Sequence, residues 1–593
     1  MELSKIPIKS WWQKIKAIAL SFLSFLNHKH VSQDEVDKRL VYSLSTRKVP
    51  TGKQLRHLKK FLNPKEYLII RICVFVLFVG AVYFGFVFFQ GHSKVLPARG
   101  GTYSEGVVGY PKSINPLYAA NRDVDADLSR LIYSSLFKYN SEGSLSLDLV
   151  SAYEISEDGK EYILKIRTDV TWHNGERLTV DDVVFTVETM QNPAFHSPLS
   201  VSLRAAVVEK IDEETVKFKL TEPYSPFLDL LTFGIMPKRL WEGVSADSAF
   251  LSDLNLKPIG SGPYKFKSLI RTSSGDIKEY SLEVNHNYYG TAPFIEIFNL
   301  KFYHNYEEAI KALNAKQISG LSYLPFSLRN ELLTQNSLNF FELRQPRLVS
   351  IFFNQTKNTA LADKEARVAL AVALDKDSII KEIFGDDYKS VNGPILPDNW
   401  AYSSDITTYS YDKESALSRF TANPLSITLT VVDSGFNSVL AEEVKKRWSE
   451  VGVTVSLRII SGEQAIDVVK NRDFEVLIYG QSVGGDPDVY AFWHSSQSGS
   501  AGLNLSNYNN PEADKLLTEA RTSTNQDQRR EKYQEFQKIV TADLPAIFLY
   551  SPAYTYVQGN KLQGFSGQVV ISPSDRFATI SNWYLKTDRG MAW

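Results

Sequence analysis

The stretch Arg167-Thr168-Asp169-Val170-Thr171-Trp172-His173-Asn174-Gly175-Glu176-Arg177-Leu178-Thr179-Val180-Asp181-Asp182-Val183-Val184-Phe185 decides how the chain is read. Just before it, Tyr162 to Arg167 alternates apolar and polar residues, the period of a half-buried strand. Together with Tyr153-Glu154-Ile155-Ser156 and the turn Glu157-Asp158-Gly159-Lys160, it predicts a β-hairpin. Within it, Trp172-His173-Asn174-Gly175 makes a loop, and Thr179 is placed to cap a following helix. Asp181 and Asp182 then fall in the first turn, where the helix dipole favours acids.

Towards the N-terminus, Gly100 to Val108 predicts a strand, Tyr110-Pro111-Lys112-Ser113-Ile114-Asn115-Pro116-Leu117 a loop, and Asp125 to Phe137 a helix. Earlier still, residues 72–89 carry no charge. A helix of that length rises about 27 Å, close to a bilayer's hydrocarbon thickness. Lys53, Arg56, Lys59, Lys60, Lys65 and Arg71 precede the run, and Lys94 and Arg99 follow it. This asymmetry predicts a single-pass anchor with a cytoplasmic N-terminus and the bulk of the chain outside. Phe88-Phe89 at its end are not the small residues of a cleavage site, so the anchor is expected to stay uncleaved. Residues 1–66 form a basic cytoplasmic segment with two helix-like pieces and no chemical motif; the anchor region is 67–91.

The net charge of −1 and the 43% hydrophobic content exclude a disordered chain and a nucleic-acid binder driven by bulk charge. The lone cysteine, Cys73, lies in the apolar run, so neither an internal disulfide nor a cysteine metal site is expected. The roughly 500 exported residues exceed what one core supports, which predicts at least two lobes. Towards the C-terminus, strand-like 427–432, 453–459 and 474–480 alternate with a helix over Val439 to Val451, which suggests a largely parallel sheet. Ligands collect at the carboxyl ends of such strands. Here that end is the loop Gln481 to His494, with Gly484, Gly485, carboxylates and aromatics.

The quoted stretch resembles the signature of family 5 extracellular solute-binding proteins, the oligopeptide-, dipeptide- and nickel-binding receptors of ABC importers. The resemblance recurs in order at Pro258-Ile259-Gly260-Ser261-Gly262-Pro263-Tyr264, Asn285-His286-Asn287-Tyr288-Tyr289-Gly290, Arg367 to Lys376 and Asp486-Pro487-Asp488. It implies an α/β, two-lobed periplasmic-binding-protein-like fold of the large class with an extra subdomain, preceded by one transmembrane helix. The lobes would comprise residues 97–345, 346–550 and a return over 551–593, joined by crossing strands near Leu343 to Phe352 and Ile547 to Tyr556. The motifs themselves read as scaffold: Arg367, Ala369, Leu370, Ala373 and Leu374 share one helix face.

By the same resemblance, the chain captures peptide-like solutes in an interlobe cleft as a monomer and delivers them to an ABC permease with separate ATPase subunits. A membrane-tethered sensor, or a receptor for a metal chelate or oligosaccharide, are the alternatives. Candidate ligand contacts are Tyr110, Asn115, Asn354, Gln481, Asp486, Asp488, Tyr490 and Trp493. Peptide receptors of the family hold the α-amine with an Asp where this chain has Val483, and dipeptide receptors carry an Arg in the loop corresponding to 433–437, which here has none. The expected ligand is therefore an extended peptide gripped by backbone hydrogen bonds and by the aromatics Tyr490, Phe492 and Trp493, without a terminal-charge clamp. No catalytic motif, phosphate loop or metal-ligand spacing is present, so an enzyme, a resident cofactor and a nucleic-acid partner are not expected.

Overall fold

The computed structural model describes residues 63–591, apart from 334, 386–387, 434–435 and 501. The helix-like pieces expected within residues 1–62 lie outside the described residues. The apolar run forms one helix, Pro64–His92, which extends several residues upstream of the uncharged segment. From Leu68 to Phe88 its large apolar side chains are exposed, and no polar face interrupts them. It is long and apolar enough to cross a membrane.

The body of the chain, residues 96–588, is built on three larger sheets and one two-stranded sheet, Phe137–Tyr139 with Leu145–Leu147. A mixed seven-stranded sheet has the spatial order Leu338–Arg344, Ala553–Gly559, Gly320–Leu321, Thr102–Val108, Ile297–Tyr303, Ile277–Val284, Tyr264–Arg271. Thr102–Val108 runs parallel to Ile297–Tyr303 and lies at its centre. An antiparallel four-stranded sheet, Val150–Ile155, Glu161–Ile166, Thr215–Leu220, Ala206–Lys210, forms the extra subdomain. It contains the predicted hairpin. Tyr162, Leu164 and Ile166 face a core shared with Val183, Val187 and Met190 of the helix Val180–Gln191, while Ile163 points out. That is the alternation of a sheet covered on one side.

The five-stranded sheet has the order Thr454–Ile460, Ser426–Val432, Val476–Ser482, Arg347–Phe353, Ala546–Tyr550. Its first three strands are parallel, as the alternation with helices predicts. Arg347–Phe353 runs antiparallel to both its neighbours, so it alone opposes the other four strands, and the sheet is largely parallel with one reversed strand. Arg347–Phe353 and Ala546–Tyr550 are the strands that enter and leave the lobe, and their opposed direction follows from that. Arg347–Phe353 is buried on both faces: Val349, Ile351 and Phe353 pack with Trp448 of one helix layer, Leu348 and Phe352 with Tyr533 and Phe536 of the other. The helix expected from Asp125 to Phe137 runs instead from Asp123 to Ile132, because Tyr133 is extended and Phe137–Tyr139 forms a short strand.

Candidate functional site

The chain leaves the seven-stranded sheet at Arg344, enters the five-stranded sheet at Arg347, and returns between Tyr550 and Ala553. The two crossings lie side by side. Arg344 pairs with Ala553 on one side and Val349 with Tyr550 on the other, and Ser551 Oγ donates to Gln345 O at 3.1 Å between them. Pro346 and Pro552 stand in the crossings, where their fixed φ stiffens the chain and no ladder hydrogen bond is lost. Two short, tied strands between two well-packed sheets are the mechanical form of a hinge.

The loop after Val476–Ser482 faces this hinge. Val483 N–H donates to Pro346 O at 2.8 Å, and Gly484 turns with φ +72°. Gly485 lies against the other lobe: a Cβ there would sit 3.1 Å from the Tyr139 ring and 3.4 Å from Ile571. Tyr139 in turn donates to Asp229 Oδ1 at 2.6 Å. Burial raises the Asp229 carboxyl above the usual carboxylate range.

The turn that follows is fixed by arginines. Asp486 accepts from Arg529 Nη2 with both oxygens, at 2.6 and 2.8 Å, and from Asp488 N–H at 3.0 Å. Asp488 Oδ2 accepts from Arg521 Nε and Nη2 at 2.9 and 2.7 Å, and its Oδ1 from Tyr490 N–H at 3.3 Å. The Arg521 guanidinium is 4.0 Å from the Tyr490 ring centre and 5.1 Å from that of Tyr224 in the other lobe. Ser225 N–H completes the interlobe contact with a 3.0 Å bond to Arg521 O.

This is a two-lobed clamp closed over a hinge, with its loop braced by ion pairs. The model of the bacterial extracellular solute-binding proteins, family 5 Middle, matches residues 144–504, more than half of the chain. The chain belongs to that family. Family 5 proteins similar to it include the oligopeptide-binding protein AppA of Bacillus subtilis, 27% identical over 82% of this chain and 92% of the relative. The dipeptide-binding protein of Escherichia coli is 25% identical over 74% of this chain and 87% of the relative. Among solved structures, B. subtilis AppA in complex with a nonapeptide superposes with a TM-score of 0.67 at 27% identity, covering 83% of this chain and 100% of that one. The substrate-binding protein CtaP of Listeria monocytogenes gives 0.73 at 27% identity, covering 82% and 99%. Family 5 is a family of solute receptors, not of enzymes.

The family's motifs meet as scaffold. His173 Nδ1 accepts from Gly260 N–H at 3.2 Å, and its Nε2 lies 3.2 Å from Gly262 O, to which Asn285 Nδ2 also donates at 3.0 Å. Glycine is required at 260 because a Cβ would lie 2.0 Å from Ile132 O. Asp182 ties the predicted cap by accepting from Thr179 N–H at 2.8 Å, and from Lys238 N–H at 2.8 Å. Arg367 is buried and donates to Leu361, Ala362, Asp543 and Leu544 carbonyls, which pins the end of the helix Gln526–Asp543.

The candidate contacts read from sequence are distributed unequally over this frame. Asp486, Asp488, Tyr490 and Trp493 share the hinge-facing loop, and Gln481 lies in the strand Val476–Ser482 that leads into it. Trp493 is turned inward by the helical turn Tyr490–Trp493 and is 2% exposed, with Phe352, Tyr508 and Phe548 around it; it is a core residue rather than a cleft wall. Asn354 follows the far end of Arg347–Phe353, about 20 Å from the hinge at strand rise. Its Oδ1 accepts from Thr356 N–H and Lys357 N–H, both at 3.2 Å, so it makes a turn. Asn115 is buried and caps Pro116–Ala119 through Leu117 N–H at 2.9 Å. Gln481 is 5% exposed and donates to Leu503 O. Tyr110 is half-buried, edge-on to His304 at 5.1 Å, and Tyr490 is half-buried under Arg521 and stacked on His494 at 4.1 Å.

Sequence reasoning missed the tyrosines that gather at the hinge. Tyr323 packs on Tyr554 at 5.1 Å, and Tyr388 and Tyr550 lie 6.0 Å apart on the other side. Tyr388 comes from a loop and Tyr323 from beyond a two-residue strand, so periodicity offered no signal for them. Among the described residues, no cluster of His, Cys, Asp or Glu could hold a metal ion.

Proposed function

We propose that this chain is a membrane-tethered receptor that captures peptides between its lobes and hands them to an ABC import permease powered by a separate ATPase. The observation that carries it is the likeness, along nearly the whole body of the chain, to a relative named an oligopeptide-binding protein. The geometry supports this reading. A hinged cleft between sheets offers backbone donors and acceptors to an extended main chain, which tolerates varied side chains. In this reading Tyr110, Tyr490 and the hinge tyrosines line the cleft, while Asp486 and Asp488 position the loop by holding Arg529 and Arg521. The receptor works as a monomer, and the helix Pro64–His92 anchors it with the N-terminus inside, as the flanking charges argue.

The test is thermal-shift and calorimetric titration of the full chain in detergent with dipeptides and with a library of five- to nine-residue peptides. We expect stabilisation by the longer peptides. If no peptide binds the folded chain, the reading is overturned. Protease applied to intact cells should remove the large domain and spare a tag at Met1; loss of the tag would reverse the orientation. Permease and ATPase genes beside this one favour import, and their absence a sensor.

A further inference from the structure

We infer that Arg347 is an anchor for a ligand carboxylate, set in the hinge between the lobes; this rests on the peptide-receptor reading above. Arg347 is the first residue of Arg347–Phe353, directly after Pro346, and opposes Ser482 in register. It is exposed, whereas every other residue of its strand is buried. Among the described residues its guanidinium has no carboxylate partner and no hydrogen bond.

Glu342, on the strand that leads into the hinge, and Asp398, paired with Arg344 there, are already engaged. Glu342 is held by Arg329 at 3.1 Å and by Thr555 Oγ1 at 2.8 Å, and Asp398 by Arg344 at 2.9 Å. Val483, next to Ser482, carries no charge. Among the described residues, the Arg347 cation therefore has no counter-charge.

Its surroundings form a seat. The side chain lies over the backbone of Val476–Ser482 at Gly480, where an added Cβ would come within 3.1 Å of Nε, 3.4 Å of Nη2 and 3.6 Å of Cζ. Glycine at 480 is what lets the guanidinium lie flat there. Its charge also acts on a tyrosine from each lobe, Tyr323 and Tyr550. Tyr550 is 4% exposed, and neither hydroxyl makes a hydrogen bond among the described residues. A planar guanidinium whose charge reaches two idle hydroxyls is a donor set for a carboxylate, which takes bidentate hydrogen bonds from Arg and accepts further O–H donors. Because one tyrosine comes from each lobe, the anion would also bridge the closed clamp. This amends the expectation that the cleft lacks a charge clamp: the Arg is absent from the loop 433–437 and present at the hinge.

The carboxylate can be a peptide's C-terminus or an acidic side chain, and the experiment separates them. The tightest pentapeptide from the library is titrated into the full chain as free acid, as C-terminal amide, and as an amide carrying one Glu. Succinate serves as a non-peptide probe. Arg347→Gln and Arg347→Lys are titrated alongside. We expect wild type to prefer the acid over the amide by roughly tenfold or more, the worth of a charged hydrogen bond. Arg347→Gln should lose that preference with an unchanged melting point, and Arg347→Lys should retain part of it. Recovery of affinity by the Glu-bearing amide assigns the seat to a side chain. Equal binding of acid, amide and Glu amide by wild type, or a preference that survives Arg347→Gln, overturns the anchor. If no peptide binds but succinate does, in an Arg347-dependent way, the anchor stands and the peptide reading falls. If neither binds, both fall.

Discussion

Arg576, beneath the centre of the seven-stranded sheet, and Arg347, at the hinge, carry the same guanidinium into opposite surroundings. Arg576 is fully buried and gives its donors to Glu105 at 2.7 and 3.1 Å, to Asp127 at 2.6 Å twice, and to Pro573 O at 2.8 Å. Tyr556 adds a 2.5 Å bond to Glu105, and the Phe577 ring lies 4.1 Å from the guanidinium. Arg347 has none of these partners. A cation taken out of water must find its counter-charge within the fold, because leaving it unpaired costs several kcal/mol. One left exposed at a cleft faces no such demand and keeps its donors for a ligand. Polar groups in the first lobe's core are thus scaffold, and the hinge is where unspent chemistry remains.

The comparison is broken most directly at Arg576. Arg576→Met strands two buried carboxylates, and we expect it to cost about 3–5 kcal/mol of unfolding free energy, read as a lower denaturant midpoint. Arg347→Gln, measured in the same way, should stay within about 0.5 kcal/mol of wild type, as exposed substitutions do. Equal losses at both positions would erase the distinction.

A second prediction tests a neutral group in the same lobe. Burial lowers the His173 pKa from 6.5 to about 4, since protonation would set a proton on Nδ1 against the Gly260 N–H. The unfolded chain takes up that proton near pH 6.5, while the folded chain resists it until about 4. The histidine's contribution to stability is therefore complete above pH 6.5 and is lost as pH falls towards 4. At pH 5 the loss is about 2 kcal/mol. The change in unfolding free energy from pH 8 to pH 5 should be more unfavourable in wild type than in His173→Gln by about that amount. An unchanged slope in the variant would mean that another group carries it.

Legibility in the sequence follows the range of the interactions. The hairpin around Gly159, the Thr179 cap and the three parallel strands at 426–482 rest on neighbours in the chain, and periodicity exposes them. Arg576 bonds to residues 449 and 471 positions away, so no local pattern announces it. Asp486 and Asp488 were visible as a turn, but the helices that bring Arg529 and Arg521 to them were not. Trp493 shows the opposite failure. An aromatic residue in a glycine-rich loop suggests a cleft wall, and a single helical turn is enough to point it into the core. Only Gln345 and Pro346 separate Arg347 from Arg344; which of them meets an acid is decided by where Asp398 lands.

The smallest effect on stability is expected at Gly480, and it sharpens the hinge side of the comparison. Gly480 is in a strand, and its φ is not in the left-handed region, so alanine meets no backbone strain there. The atoms that a new Cβ would crowd belong to the end of the Arg347 side chain, which can swing away. Gly480→Ala should consequently alter unfolding free energy by less than about 0.5 kcal/mol, since alanine's gain in strand entropy offsets the crowding. The displaced guanidinium would no longer lie flat over the strand, so the preference for a peptide acid over its amide should shrink by a few fold, less than in Arg347→Gln. The charge itself is retained, and its pull on an anion persists at longer range. Calorimetry of Gly480→Ala with the acid and amide pair measures this. A preference equal to that of wild type would mean that Arg347 acts by charge alone, and the flat seat over Gly480 would have no part in recognition.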